Sequence, residues 1–217
     1  MAADDLAARL GRLPASVVHD VLRGLGHEHC TLLPDIRPLA SGSRLAGRIV
    51  TVSGRERPGL GTDETLLAWA TLLSDIPPDC VVVCQPNTRA IALMGELSAR
   101  ALAIKGVKGY VVDGGCRDVD LVEESGLTVF CSHFTPSDIA GRWLPDPIGG
   151  PIAIGSCRVA TGDWLVADRD GVVVLPAALA ASAIAEGEAV MGTESRMRQA
   201  ILAGVDPRLA YLEFRKF

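Results

Sequence analysis

An α/β domain is what this sequence predicts, and two stretches carry the prediction. Between residues 80 and 131, β-branched runs alternate with amphipathic segments: CVVVCQ (80–85), GELSARALAIKG (95–106), GYVVD (109–113), DVDLVEESG (118–126) and LTVFC (127–131). That β-α-β-α-β order implies parallel strands joined by right-handed crossovers. Further on, PIAIGSCRVATGDWLVADRDGVVVLP (151–176) breaks into short strands at TGD and DRDG, the texture of antiparallel pairing.

Each element has a local reason. ASVVHDVLRGLG predicts a first helix, with Ser16 as its cap, Val17, Val18, Val21, Leu22 and Leu25 at helical spacing, and Gly26 as its stop. GRIVTV (47–52) reads as a strand. TDETLLAWATLLS (62–74) offers an N-cap and first-turn acids, and sets Leu66, Leu67, Ala70 and Leu73 on one face. CVVVCQ is a continuous β-branched run, as expected of a strand covered on both faces. In the helix after it, Leu97, Ala101 and Ile104 form one stripe and Gly106 follows the end. A long amphipathic helix is expected over 177–203, and Asp206-Pro207 caps a last short one.

Composition narrows the class. The 217 residues are 48% hydrophobic and 22% charged, which is globular. With no repeat, low-complexity stretch or break in composition, the chain reads as a single domain over 1–217. Residues 1–30 form its N-terminal helical segment and 177–217 a C-terminal helical extension. A net charge of -5 and the lack of any long Lys/Arg run argue against nucleic acid as a partner. The longest apolar runs contain a proline and fall short of the ~18 residues of a membrane span. MAADDLAARLG has no apolar core of a signal peptide, so a cytoplasmic protein is expected. The six cysteines lack CxxC spacing. Cys80 and Cys84 share a strand face but sit about 13 Å apart at strand rise, so free buried thiols are expected.

The candidate chemistry lies where strands end. In parallel α/β units, the loops leaving the carboxyl ends of the strands open on one edge, where ligands bind. The loop after 80–85 ends at Gly95-Glu96 and the loop after 109–113 ends at Arg117-Asp118, so neighbouring strands would bring Glu96, Arg117 and Asp118 together. Gly114 and Gly115 would let the backbone turn there without a Cβ in a ligand's way. Asp118 and Glu96 are hard oxygen donors suited to Mg²⁺ or Mn²⁺, directly or through water. Arg117 offers a planar fork for a carboxylate. Guanidinium, carboxylate and divalent cation together suit a 2-oxo acid and its enolate. The plainer alternative is a surface ion pair with an N-cap, and a Glu that merely complements a helix dipole.

Other residues bear weaker readings. His133 follows strand 127–131 on the crevice side, within reach of a substrate. Cys116, beside a cation, lacks an assigned base. His27 and His29 form HEH without a third placed ligand. GLGTDE (59–64) is neither a dinucleotide fingerprint nor a P-loop, though its helix N-terminus offers N–H groups to a carboxylate. Trp143 lines a pocket or covers the core edge.

MGELSARALAIKGVKGYVVDGGCRDVD (94–120) resembles the signature region of the RraA-like family. That family contains class II (metal-dependent) 4-hydroxy-4-methyl-2-oxoglutarate aldolases and regulators of RNase E activity. Glu96, twenty residues, then Arg117-Asp118 is similar to the aldolase pattern, and LAGRIVTV (45–52), TPSDIAGRW (135–143) and RVATGDWLVADRDGVVVLP (158–176) extend the likeness to most of residues 14–203. The resemblance implies a swivelling β/β/α-like core with a mixed sheet flanked by helices, assembled as trimers or hexamers with active sites between subunits. It implies Asp118 as the ligand of Mg²⁺ or Mn²⁺ and Arg117 as the residue that holds the oxo acid and its enolate. It gives Glu96 the ordering of metal-bound water and proton transfer. Substrate would be gripped at Gly95 and by the amides of Leu97 and Ser98, and Glu194 of a neighbouring subunit would complete the site. Two positions depart from the pattern. Leu121 stands where an acid is common, which raises the question whether Asp120 restrains Arg117 instead, and Pro78 stands where glycine is usual.

The expected function is therefore a metal-dependent lyase acting on a small 2-oxo acid through a pyruvate enolate: an aldolase with oxaloacetate decarboxylase activity. The alternatives are a non-catalytic regulator that binds a protein partner, or another enolate reaction on a sugar-acid-derived oxo acid.

Overall fold

The computed structural model describes residues 3–215, with the side chains of all of these but 3, 4 and 193–195. Two helices open the chain, α1 (Ala3–Leu10) and α2 (Ala15–Gly24). There follow β1 (Arg37–Pro38), the long β2 (Leu45–Glu56), α3 (Thr62–Asp75) and β3 (Cys80–Gln85). Next come β4 (Ala92–Met94), α4 (Glu96–Ile104), β5 (Gly109–Val112), β6 (Gly115–Cys116) and α5 (Val119–Glu124). The chain continues through β7 (Thr128–Cys131), β8 (His133–Phe134), β9 (Trp143–Pro145), β10 (Ile152–Ile154) and β11 (Cys157–Val159). It ends with β12 (Trp164–Asp168), β13 (Gly171–Leu175), α6 (Ala180–Leu202) and α7 (Pro207–Phe214).

The main sheet runs β1-β7-β5-β3-β2-β12-β13, with β9 on the far end of β2. Strands β7, β5, β3 and β2 pair in parallel, as the alternating pattern predicts, and β12 and β13 add an antiparallel hairpin. Residues 30–32 then lie along β13, with Leu32 N donating to Val172 O at 3.0 Å and Val174 N to Cys30 O at 2.8 Å. Since β1 continues from this segment onto β7 at the opposite edge, the mixed sheet is nearly closed.

Two-residue periodicity sorts the strand side chains between two cores. Val81, Val83, Ile49, Val111, Phe130, Leu165 and Val174 point to the inside, where the β10–β11 hairpin adds Ile152, Ile154, Cys157 and Val159. Val82, Cys84, Val50, Val52, Tyr110 and Val112 point outward beneath α3, α4 and α5. That double cover is why CVVVC is apolar at every position. Helices α1, α2 and α6 close the remaining flank over Trp164, Val166, Val173 and Leu175. All six cysteines are free and buried.

Several local expectations are corrected. Helix α2 begins at Ala15 behind Pro14, so Ser16 sits inside the first turn and caps nothing, while Gly26 does take the left-handed conformation at φ 84°. Helix α3 follows Gly61 and has no side-chain cap. Its buried face is Thr65, Trp69 and Leu72; Leu66, Leu67 and Ala70 face out and Leu73 is only partly covered. In α4 the buried residues are Ala99 and Leu102, whereas Leu97, Ala101 and Ile104 are exposed. Asp206 does cap α7, accepting from the N–H groups of Arg208 and Leu209.

Candidate active site

Beyond the carboxyl ends of β3, β5 and β7 the chain makes a short second strand each time, and these pair as a three-stranded parallel sheet, β4-β6-β8. Ala92 lies opposite Gly115 and Met94 opposite Cys116, while Gly115 lies opposite His133. Arg117 N donates to Met94 O at 2.9 Å, which sets Gly95-Glu96 beside Arg117-Asp118. This register, continued one residue past each strand, brings together two turns distant in sequence.

The glycines serve this packing. The backbone bends at Asp113-Gly114, but neither Gly114 nor Gly115 has positive φ, so the bend does not need glycine's left-handed freedom. A Cβ on Gly115 would lie 2.7 Å from Thr135 Cγ2 and 3.0 Å from Ile91 O, and one on Gly114 would lie 3.2 Å from Pro86 Cγ. They admit neighbouring protein. Gly95 has extended backbone, but a Cβ there would reach 3.0 Å from Asp118 Oδ2 and 3.1 Å from Arg117 Cγ.

Asp118 takes the left-handed conformation, φ 53° and ψ 42°, which is uncommon outside glycine and tends to mark functional positions. Its side chain does not cap its own helix α5. It turns instead to the neighbouring segment, with Oδ2 accepting a long bond of 3.4 Å from Glu96 N and lying 3.4 Å from Arg117 Nε. The N-cap alternative therefore fails for Asp118. The Arg117 guanidinium is also held from a third segment, Nη1 donating to Asp138 Oδ2 at 3.1 Å. Burial pushes the Asp138 carboxyl up, but the Ala140 N–H, Arg142 and Arg117 outweigh it and hold that carboxyl below its ordinary value.

These groups share one cleft of about 340 Å³, lined by Glu96, Arg117, Asp118 and Asp138 and walled by Trp69, Leu121 and Ile139. Gly95, Leu97 and Ser98 also line it. The first backbone bond of α4 is Ala99 N to Gly95 O, so the N–H groups of Leu97 and Ser98 project from the helix start. Ser98 Oγ accepts from Trp69 Nε1 at 2.9 Å, which ties α3 to this end of α4. Glu96 reaches the cleft wall, but its Oε1 accepts from Arg100 Nε at 2.9 Å in a one-turn helical pair.

The remaining candidates fall elsewhere. His133 Nδ1 meets Ser132 Oγ at 2.9 Å and its ring flanks Gly115, outside the residues that line the cleft. Asp120 is exposed on α5 and does not restrain Arg117; Asp138 does. Leu121 gives the cleft an apolar wall where the resemblance led one to expect an acid. Glu194 belongs to α6, and its side chain lies outside the described residues. Hydrogen bonding with Cys131 and burial keep the Cys116 thiol protonated, which argues against a nucleophile there. Trp143 is buried, donating from Nε1 to Pro86 O at 2.9 Å, so it covers the core.

The donors fit a hard divalent cation in one way. Among the described residues no three His, Cys, Asp or Glu side chains converge as a metal cage. Asp118, with Glu96 beside it, is a sparse all-oxygen set, matching an ion such as Mg²⁺ that keeps several waters and takes one or two carboxylates. A structural zinc site would need more ligands.

Comparison with known proteins agrees with this architecture. The family model RraA-like, described as Aldolase/RraA, matches residues 15–174. The chain belongs to the RraA-like family. A relative from Halalkalibacterium halodurans, provisionally named a 4-hydroxy-4-methyl-2-oxoglutarate aldolase, is 24% identical over 96% of this chain and 94% of its own. An uncharacterised protein of Pseudomonas syringae superposes with TM-score 0.87 at 25% identity, covering 98% of this chain and 95% of that one. A Streptomyces coelicolor protein, described as an unusual member of the RNase ES inhibitor RraA family, superposes with TM-score 0.79 at 26% identity over 89% of this chain and 96% of its own. The RraA-like fold thus hosts proteins named for two different activities, and the site must decide between them.

Proposed function

We propose that this RraA-like protein is a divalent-metal-dependent lyase that cleaves a carbon–carbon bond of a small 2-oxo acid through a pyruvate enolate. The observation that carries the reading is the convergence of Arg117, Asp118 and Glu96 on one cleft, fixed by the β4–β6 register. Asp118 would hold Mg²⁺ or Mn²⁺, with Glu96 orienting water beside it. When bound, that ion supplies Lewis-acid polarisation of the oxo group.

The chain's own groups account for the rest. Arg117 presents its fork to the carboxylate and to the oxygen on which enolate charge develops. The N–H groups of Leu97 and Ser98, at the positive end of α4, add donors for the same anion. In aldol cleavage a base takes the 4-hydroxyl proton, the C3–C4 bond breaks, and its electron pair passes into the enolate, which is then protonated at C3. Glu96, which lines the cleft, would be the carboxylate that transfers the proton, directly or through water. Trp69, Leu121 and Ile139 give the cleft an apolar wall. Oxaloacetate decarboxylation passes through the same enolate, so one site serves both reactions. The reading includes a cytoplasmic homo-oligomer, trimeric or hexameric, with Glu194 of a neighbouring copy as the candidate for completing the site.

A non-catalytic regulator is the competing reading. A binding surface has no use for a carboxylate held in left-handed backbone beside an arginine, an arrangement with a conformational cost of order 1–3 kcal/mol. Pyruvate release from oxaloacetate tests the choice: turnover should need Mg²⁺ or Mn²⁺, stop with EDTA, and vanish in Asp118→Ala while the assembly stays folded. Full activity in EDTA, or in the variant, would sink the metal-dependent mechanism.

A further inference from the structure

We propose that Asp138 is the positioning residue for Arg117, the carboxylate that aims the guanidinium into the cleft. This rests on the lyase reading and extends it to a third segment of the chain, the loop between β8 and β9. Arg117 is long and loses much rotamer freedom when fixed. Asp118 meets its Nε at only 3.4 Å, while Asp138 Oδ2 accepts from Nη1 at 3.1 Å. The two carboxylates hold two different nitrogens of the fork and so set its plane.

Asp138 is itself fixed. Its Oδ1 accepts from Ala140 N at 3.2 Å and from Arg142 Nη2 at 3.2 Å. The loop is tied down on both sides of it: Ala92 N donates to Ser137 O at 2.7 Å, and Gly141 N to the buried Thr65 Oγ1 at 2.9 Å. Ile139, the next residue, is buried in the outer core. With Arg142 on its other oxygen, Asp138 orients Arg117 without cancelling the positive charge that the substrate meets.

Asp138→Asn keeps the shape and removes the charge. Oxalate, a planar dianion like the enolate, is titrated calorimetrically with Mg²⁺ present, and oxaloacetate turnover is measured alongside. In the folded variant, kcat/KM and oxalate affinity should each fall by about tenfold or more, because a misaimed fork costs orientation. In an Arg117→Lys background the same change should alter oxalate affinity by less than about twofold, since its effect passes through the fork. An active wild type with unchanged Asp138→Asn kinetics overturns the proposal, as does an equal loss in both backgrounds, which marks a merely structural role. A wild type without turnover overturns the lyase reading instead. Should Asp138→Asn fail to fold, Asp138→Glu moves the charge by one methylene and must itself lose oxalate affinity; unchanged affinity there also overturns the role.

Discussion

Two glycines near Arg117 do different jobs, and each predicts a different failure. The Cβ of Gly95→Ala would press on Asp118 Oδ2 and on Arg117 Cγ and Nε, which are side-chain atoms rather than backbone. Activity should drop at least tenfold by displacement of the reacting groups, with melting temperature nearly unchanged. At Gly115 the obstacles include the Ile91 carbonyl, which is backbone, and Thr135 Cγ2 at 2.7 Å. Gly115→Ala should therefore destabilise by about 1–3 kcal/mol, read as a lower melting temperature. A Gly95→Ala enzyme with full activity would show that this Arg–Asp geometry is not where the reaction occurs. The meeting of Arg117, Asp118 and Glu96 could be expected from sequence because each stands where the connection from a recognisable strand ends at a helix start. Asp138 could not: TPSDIAGRW has no period, and its carboxylate acquires a role only through the anchoring of its loop on Thr65 and Ala92.

The elements divide by how much chain their signal occupies. Continuous β-branched runs announced β3, β5 and β7, but Ala92–Met94, Gly115–Cys116 and His133–Phe134 are too short to show alternation, so the second sheet was hidden. The segment that closes the main sheet was hidden too, because a two-residue β1 is too short to show a period. Arg89 bridges Asp35 in that segment and Asp113 at the end of β5. The hydrogen bond from Arg89 outweighs burial and holds the Asp35 carboxyl below its ordinary value. A carboxyl depressed in the folded state adds stability above its unfolded value of about 3.9, and loses it as pH falls through the lower folded value. Exposure of the pair to solvent keeps the global effect small, so the consequence is local. Amide exchange of residues 30–38 should accelerate below about pH 4 relative to β3, and Arg89→Ala should show the same loosening at neutral pH. Equal protection of the segment in both proteins would mean that the bridge does not hold the closure.

At the scale of the molecule, the exposed helix faces are the unexplained apolar surface. Leu67 is 70% exposed on α3, Leu97 80% and Ile104 89% on α4, and Leu66 and Leu121 continue the surface into the cleft. These residues share helix faces, as their spacing predicts, and that spacing is the same whether a stripe meets a core or another surface. Apolar surface of this kind suits association, and its continuity with the cleft fits the proposal that neighbouring copies complete each active site. Leu67→Glu with Ile104→Glu places two charges where burial would leave them unpaired, while touching neither the core nor the reacting groups. Sedimentation velocity should show the wild type as a trimer or hexamer and the double variant as smaller species of native secondary structure. Oxaloacetate turnover should fall with the dissociation and recover as protein concentration restores the assembly. A dissociated variant with undiminished turnover would make the cleft self-sufficient and leave Glu194 without a catalytic part, whereas a monomeric wild type would assign the exposed leucines to some other partner.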